Sequence, residues 1–435
     1  MFEIIYASAT DLAQAIQSRQ LSAVEVVEAY LARIAAINPK LNAVVQLTAE
    51  QALAEAQAAD ADLARGHLRG PLHGVPFTVK DWIETAGVIC AAGDVRYRNY
   101  VPEQDAPVVV RMRQAGAILL GKTNVLASNP VYGRTNNPYN LDYSPSGSSS
   151  GEAALIAAGG SPLGLGSDSG GSIRTPAHAC GVAGLKPTAG RVPLTGHLPR
   201  INFMSDPRTV IGPLARSVAD LGLALRIIQG VDWADASVIP MPLGDWRTVE
   251  LRPLRVAFYT EHKEAIPDPV CKQAVINAAQ ALASEVTLVE ERLPPRVGES
   301  YTITRNYWQR PESESWEQWV PDGKFQLDSE AVERHLFEWD RFRRGLIGFM
   351  QHYDVIITPV IEHAAQPHGQ NEGGIAYTLT YSLTGYPAVV VRTGTTADGL
   401  PVGVQVVAQP WREDVALAVA AFLEQQFGGW QRPPL

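Results

Sequence analysis

Two short Gly/Ser-rich loops and one isolated lysine carry the residue types that could together activate a hydroxyl. The first loop is Ser146-Gly147-Ser148-Ser149-Ser150-Gly151, and the second is Asp168-Ser169-Gly170-Gly171-Ser172-Ile173-Arg174. Glycine lacks the Cβ that blocks close approach, so such loops let main-chain N–H groups and hydroxyls converge on a small volume. A Gly-Gly pair just before a serine suits an oxyanion hole built from backbone amides. Asp168 and Arg174 bracket that pair six residues apart, where an ion pair would pin the loop and turn its amides inward. A serine hydroxyl is a weak nucleophile until a base takes its proton. Histidine is the usual base, but His73, in Leu72-His73-Gly74-Val75-Pro76, and His178 sit in no catalytic pattern and read as structural. Lysine serves instead when burial keeps it neutral, and Lys80 ends the apolar run Val75-Pro76-Phe77-Thr78-Val79. The chemistry indicated is that of a serine hydrolase.

Three other readings of these loops fail on context. Gly147-Ser148-Ser149-Ser150-Gly151 matches the G-x-S-x-G nucleophile elbow with Ser149 at its centre, but that motif needs a strand leading straight into the turn. Here the approach is the loop Asn137–Pro145. No Gly-Lys-Ser/Thr closes either loop, which excludes a phosphate-binding P-loop. A flexible linker is excluded because the apolar, helical Glu152–Ala158 follows at once.

The elements that must position these residues read as α/β. Ser22-Ala23-Val24-Glu25 has capping-box form and opens a helix that Asn38-Pro39 should end. A second helix spans about Glu50–Arg65, closed by Gly66. Short strands are expected at Val75–Val79, Ala117–Leu120 and Pro162–Leu165, with helices near Ala106–Gln114 and Glu152–Ala158 between them. Residues 231–250 read as a surface connection. Leu254–Tyr259, Val355–Thr358, Ala388–Val391 and Val402–Val407 read as further strands, and Pro269–Ser284 and Asp414–Phe427 as helices. The segment from about 294 to 348 is Trp-rich (Trp308, Trp316, Trp319, Trp339) and charged, and reads as a helical cap on one continuous domain over 1–435.

Composition narrows the partners. With 435 residues, 46% hydrophobic and 19% charged, the chain can bury a large core. A net charge of −9 argues against a broad nucleic-acid footprint. No apolar run approaches the roughly 20 residues of a membrane span, and Met1-Phe2-Glu3-Ile4 lacks signal-peptide form. A soluble, cytoplasmic protein with no membrane partner is expected. Cys90, Cys180 and Cys271 are scattered and odd in number, which reads as three reduced, mostly buried thiols and neither a disulfide framework nor a zinc site.

Residues 71–80, 146–177 and 183–193 resemble the amidase signature family, whose pattern runs Gly-Gly-Ser-Ser-Gly-Gly and then Asp-x-Gly-Gly-Ser-Ile-Arg-x-Pro. The second part stands here as Asp168-Ser169-Gly170-Gly171-Ser172-Ile173-Arg174-Thr175-Pro176. Gly121-Lys122-Thr123-Asn124, Gly184-Leu185-Lys186-Pro187-Thr188 and Gly399-Leu400-Pro401-Val402-Gly403-Val404-Gln405 match as well. The resemblance implies the family's fold, a central mixed β-sheet covered by helices on both faces. It implies a Ser–cisSer–Lys triad with Ser172 as nucleophile, Ser148 as the bridging serine after a cis peptide bond, and Lys80 as base. The 24-residue spacing between the two serines is the family's. The amides of Ser169, Gly170, Gly171 and Ser172 would form the oxyanion hole, and no metal or organic cofactor is required. Ser146 and Ser150 replace glycines common in the first motif, leaving Ser149 and Ser150 as rivals for the bridging role. Asn124–Pro130 is shorter than in many relatives, which would open the acyl pocket. The expectation is an amidohydrolase acting alone, as monomer or homodimer, on a small-molecule amide that is bulky or aryl, with carbamates (as in urethanases) and esters in reach. The alternative is an A-type amidotransferase component that works on charged tRNA with a partner protein.

Overall fold

The computed structural model describes residues 3–201, 206–308, 327–370 and 374–435, with nothing said of the Trp308 side chain. Its strands are β1 Val44–Leu47, β2 Pro76–Lys80, β3 Ile118–Thr123, β4 Ser128–Asn129, β5 Gly133–Arg134, β6 Leu163–Asp168, β7 Ala183–Lys186, β8 Val210–Ala215, β9 Arg255–Phe258, β10 Leu288–Glu291, β11 Val355–Pro359, β12 Ala388–Thr395 and β13 Pro401–Ala408. Eleven of them form one sheet in the order β1-β3-β2-β6-β8-β7-β12-β13-β11-β9-β10, and β4 pairs with β5 outside it. The sheet is mixed: β2 runs parallel to β3 and β6, while β12 runs antiparallel to β7 and β13. Twelve α-helices among the described residues flank it. The expected strands and helices are in place, and β1, β4, β5, β7, β8 and β10 add to those the sequence singles out.

Local rules explain most boundaries. Helix Ala23–Leu41 starts with the expected capping box, Ser22 Oγ accepting from Glu25 N–H at 3.1 Å and Glu25 Oε2 accepting from Ser22 N–H at 2.7 Å. It does not stop at Asn38-Pro39 but runs through Pro39 to Leu41. Pro39 lies in the last turn, where only one intrahelical bond is lost. The stop comes from Asn42, which takes the left-handed conformation (φ 52°) and donates N–H to Asn38 O at 2.8 Å.

The segment read as a cap holds helices Ser300–Trp308 and Ser329–Phe349. Ile303, Tyr307, Trp339, Phe342 and Leu346 pack in one apolar cluster with sheet residues Ile356, Ala388 and Val407. Trp316 and Trp319 lie outside the described residues.

Beneath the first serine loop the backbone is tightly packed. Helix Ser150–Ala157 is buried along its whole length. At Gly151 an added Cβ would sit 2.5 Å from both Ala43 O and Asn124 N. These are backbone atoms that no rotamer change can move. At the start of the same loop, Ser146 holds φ 63°, a region that disfavours a side chain by about 1–2 kcal/mol, which accounts for glycine being common at that position. Two substitutions should therefore act in opposite directions. Gly151→Ala should destabilise the protein by about 2 kcal/mol through overpacking, whereas Ser146→Gly should be neutral or stabilising. Urea unfolding of both variants checks this, and a Gly151→Ala midpoint equal to the unmodified protein's would contradict it.

Candidate active site

Thr78 and Lys80 alternate along β2 and so share one face of the strand. Thr78 Oγ1 donates to Glu152 Oε1, and Thr123 Oγ1 donates to Glu152 Oε2 at 2.7 Å. Lys80, fully buried, places Nζ 2.6 Å from Ser148 Oγ, 3.2 Å from Ser167 Oγ and 3.3 Å from Ser167 O. The amine also lies 4.0 Å from the centroid of the Trp82 ring. Burial holds the Lys80 amine well below the usual lysine range, although the Asp168 and Glu152 carboxylates favour its charged form. Burial likewise raises the Glu152 carboxyl to about 7, against the two threonine hydrogen bonds and Lys80.

Two other lysines are buried at strand ends, and neither reaches a hydroxyl. Lys122 Nζ donates to Ile83 O at 2.5 Å and lies 3.6 Å from Asp81. Lys186 Nζ donates to Pro187 O at 3.1 Å. The two histidines nearest these motifs in sequence are structural, as their sequence context suggests. His73 Nδ1 accepts from Arg69 N–H, and His178 Nδ1 accepts from Gly403 N–H at 3.0 Å.

The first loop answers which serine faces the lysine. The Gly147–Ser148 peptide bond is cis. Ser148 O accepts from Leu126 N–H at 2.9 Å, so the segment after Asn124 cradles the loop. Ser149, fully buried, turns Oγ to Ser167 O at 3.3 Å, and Ser150 Oγ donates to Leu126 O. Both rivals for the bridging role are occupied by backbone carbonyls.

The second loop hangs on a buried ion pair. Arg174 and Asp168 are both fully buried at 2.9 Å, and the guanidinium also donates to Thr378 O, Ser382 Oγ and Gln405 Oε1. Burial alone would raise the Asp168 carboxyl, but Arg174 outweighs it and holds the group at about 2. Asp168 also accepts from Gly171 N–H at 2.8 Å and Ile173 N–H at 3.1 Å. That corrects one expectation. The Gly171 amide is taken by Asp168, so the amides able to face an oxyanion narrow from four to those of Ser169, Gly170 and Ser172. The two loops touch directly, Ser149 N–H donating to Ser172 O at 3.1 Å and Thr175 Oγ1 to Gly147 O at 3.0 Å. Ser172 is only half-buried, unlike Ser148.

A family model described as Amidase matches residues 25–308 and 300–417 of the chain. The chain belongs to the amidase signature family. It is 34% identical to the A-subunit of the glutamyl-tRNA(Gln) amidotransferase of Chloroflexus aggregans, with 96% of each chain covered. It is 33% identical to an indoleacetamide hydrolase of Bradyrhizobium diazoefficiens, covering 97% of this chain and 86% of that one. Among solved structures, a peptide amidase from Stenotrophomonas maltophilia superposes with a TM-score of 0.84 at 29% identity over 99% of both chains.

In this amidase-family hydrolase, one tryptophan of the segment read as a cap has a clear place. Trp339 is buried, donates Nε1–H to Leu383 O at 2.8 Å and belongs to the core. The apolar surface beside Lys80 comes from Trp82, which packs with Tyr100 against Cys90, Ala92 and Leu198. Sequence reading also missed Ser167, Glu152 and His197, which surround the lysine without sharing a motif with it. All three cysteines are buried and unpaired. Among the described residues, no group of three or more His, Cys, Asp or Glu is arranged to hold a metal ion, and no helix is long and apolar enough to cross a membrane.

Glu152 offers a stability test with a definite sign. Its folded-state value of about 7 lies above the ordinary 4.5, so its buried charge weakens the fold fully above pH 7 and not at all below pH 4.5. Glu152→Gln keeps the shape without the charge. Thermal melts should show the variant ahead by about 1–3 kcal/mol at pH 8, with the gap closing as pH falls through that window. A gap that is constant with pH would refute the assignment.

Proposed function

We propose that this chain is a serine amidohydrolase in which Lys80, Ser148 and Ser172 form one proton relay. The observation that carries the reading is a fully buried amine 2.6 Å from Ser148 Oγ, in a loop bonded to that of the half-exposed Ser172. Neutral Lys80 takes the proton of Ser148, and Ser148 takes that of Ser172 as its Oγ bonds to the substrate carbonyl carbon. Charge gathering on the carbonyl oxygen meets the amides of Ser169, Gly170 and Ser172. Collapse breaks the C–N bond, and the amine leaves with the proton returned from Lys80 through Ser148. Water then cleaves the acyl ester by the same path, restoring Ser172 and releasing the acid.

Ser172→Ala should lower kcat by up to about a million-fold, as for loss of a triad nucleophile, while the melting temperature stays unchanged. Ser148→Ala should cost far more activity than Ser149→Ala or Ser150→Ala. If Ser149→Ala were the inactive variant, the nucleophile-elbow reading would return. The base must be neutral to act, so kcat/KM should fall on acidification through one ionisation below the usual lysine range of about 10.4. The groups facing Lys80 set that ionisation. Burial lowers it, the Asp168 and Glu152 carboxylates raise it, and His197 is held neutral. Glu152→Gln should therefore move the acid limb to lower pH, and an unmoved limb would assign the ionisation to another group.

The substrate we propose is an amide that is bulky and apolar or aromatic on at least one side of the scissile bond, with aryl carbamates and esters also accepted. Support comes from the apolar cluster of Trp82, Tyr100 and Leu198 beside Lys80, and from Leu379, whose Cδ2 lies 3.3 Å from where a Cβ on Gly170 would stand. The similarity to an indoleacetamide hydrolase points the same way. A carbamate presents the same carbonyl to Ser172, so no new catalytic group is needed. In this reading the chain works as one domain, with about 294–348 as its cap. Comparison of kcat/KM for an anilide or aryl carbamate against acetamide should favour the aryl substrate by at least tenfold, and preference for acetamide would sink the proposal. The second reading, an A-type component of a tRNA amidotransferase, draws on the 34% identity to such a protein. Turnover of free amides by the purified chain alone separates the two.

A further inference from the structure

His197 lies on the far side of Ser167 from Lys80, outside both serine loops and outside the relay described above. Its backbone is fixed independently of its side chain. Leu198 N–H donates to Trp82 O at 2.6 Å and Glu84 N–H donates to Gly196 O at 2.8 Å, which straps residues 196–198 alongside the continuation of β2. The imidazole is buried, meets the Trp82 ring edge-on with centroids 5.8 Å apart, and makes two contacts. Nδ1 lies 2.9 Å from Pro199 O and Nε2 lies 2.9 Å from Ser167 Oγ.

These contacts fix the proton positions in sequence. Pro199 O can only accept, so Nδ1 carries a hydrogen. Burial holds the ring neutral, its value pushed down to about 4, so Nε2 bears the lone pair and must receive the Ser167 hydroxyl proton. Ser167 Oγ then has only lone pairs to offer Lys80, as does Ser167 O. A neutral amine has two N–H groups and one lone pair, and three oxygens surround this one. The two acceptors of Ser167 take the two N–H groups. The lone pair is left facing Ser148 Oγ, where a base must present it.

We propose that His197 is a positioning residue that acts through Ser167 to aim the Lys80 lone pair at the Ser148 hydroxyl. Without the imidazole, the Ser167 hydroxyl is free to turn and donate to Lys80, and it then competes with Ser148 for the single lone pair. The inference rests on Lys80 being the base.

The test is a double-mutant cycle on His197 and Ser167, with Lys80→Ala as the control for the underlying reading. His197→Leu, which fills the site but cannot accept a hydrogen bond, should lower kcat about 10- to 100-fold with KM within twofold. His197→Gln, whose side-chain oxygen can accept from Ser167, should recover most of that loss. In a Ser167→Ala background there is no competing hydroxyl, so adding His197→Leu should change kcat by less than twofold. A merely structural histidine gives the same loss in both backgrounds, and that additive result would overturn the proposal, as would an unchanged kcat in His197→Leu. Should His197→Leu fold poorly, His197→Phe, which keeps a ring in the site and likewise cannot accept a hydrogen bond, runs the same cycle with the same two outcomes. An active Lys80→Ala would instead remove the base assignment, a failure distinct from an additive cycle with an inactive Lys80→Ala.

Discussion

The Arg174 guanidinium has five N–H donors, and each finds an acceptor inside the protein, among Asp168, Thr378, Ser382 and Gln405. A buried charge is tolerated when it is paired and its remaining hydrogens are satisfied, and breaking such a pair costs about 3–5 kcal/mol. The partners come from the end of β6, from helix Ala376–Leu383 and from β13, so distant pieces of chain meet at one side chain. Asp168 also holds the amides of Gly171 and Ile173. The turn that presents Ser172 is thereby tied to the centre of the sheet. Stability and the geometry of the Ser172 loop depend on the same ion pair.

Lys80 is treated in the opposite way, and the contrast divides the labour of the site. Arg174 keeps its charge because a carboxylate faces it at 2.9 Å. The hydrogen-bond partners of Lys80 are the hydroxyls of Ser148 and Ser167 and the Ser167 carbonyl, none of them charged. Desolvation then prevails over the more distant carboxylates and favours the free amine. Lys122 shows the third outcome, a buried lysine paired with Asp81 that has a structural role. Three buried lysines thus differ in what surrounds the amine, and of the three it is Lys80 that faces hydroxyls.

How much of this is legible in the sequence follows from how local each signal is. The Asp168–Arg174 pair, the serine loops and Lys80 stand in contiguous motifs whose residue types already imply their contacts, and the structure brings them together. The helix stop at Asn42 escapes a sequence reading because Pro39 is the louder local signal, though a proline in the last turn forfeits little. The Gly171 amide reads as part of the oxyanion hole because its orientation depends on which carboxylate oxygen reaches it, and no residue pattern encodes that. His197 is invisible for a different reason. It is brought to Ser167 by a backbone bridge between Ile83 and His197, a pairing across more than a hundred residues that leaves no local trace. The tryptophans of 294–348 carry no such signal, since large aromatics serve cores as readily as pockets, and Trp339 serves the core.

The relatives show what such a site can and cannot decide. An indoleacetamide hydrolase and a component of a tRNA amidotransferase are about equally similar to this chain, so the shared loops do not carry the choice of substrate. An amide, a carbamate and an ester all present a carbonyl carbon to a nucleophile, so in the relay proposed above the reacting atoms alone would not tell them apart. Discrimination has to come from the surfaces that hold the acyl and leaving groups. The alignment to the amidotransferase component spans 473 positions against 435 residues here, so that relative has segments this chain lacks. Where walls are shortened, the remaining surface gains weight. Beside Lys80 that surface is the apolar cluster of Trp82, Tyr100 and Leu198. Trp82 touches both the lysine and His197, so it belongs to the apolar shell that buries the amine. In the reading proposed above, apolar substrate surface laid against Trp82 would extend that shell, which small polar amides cannot do.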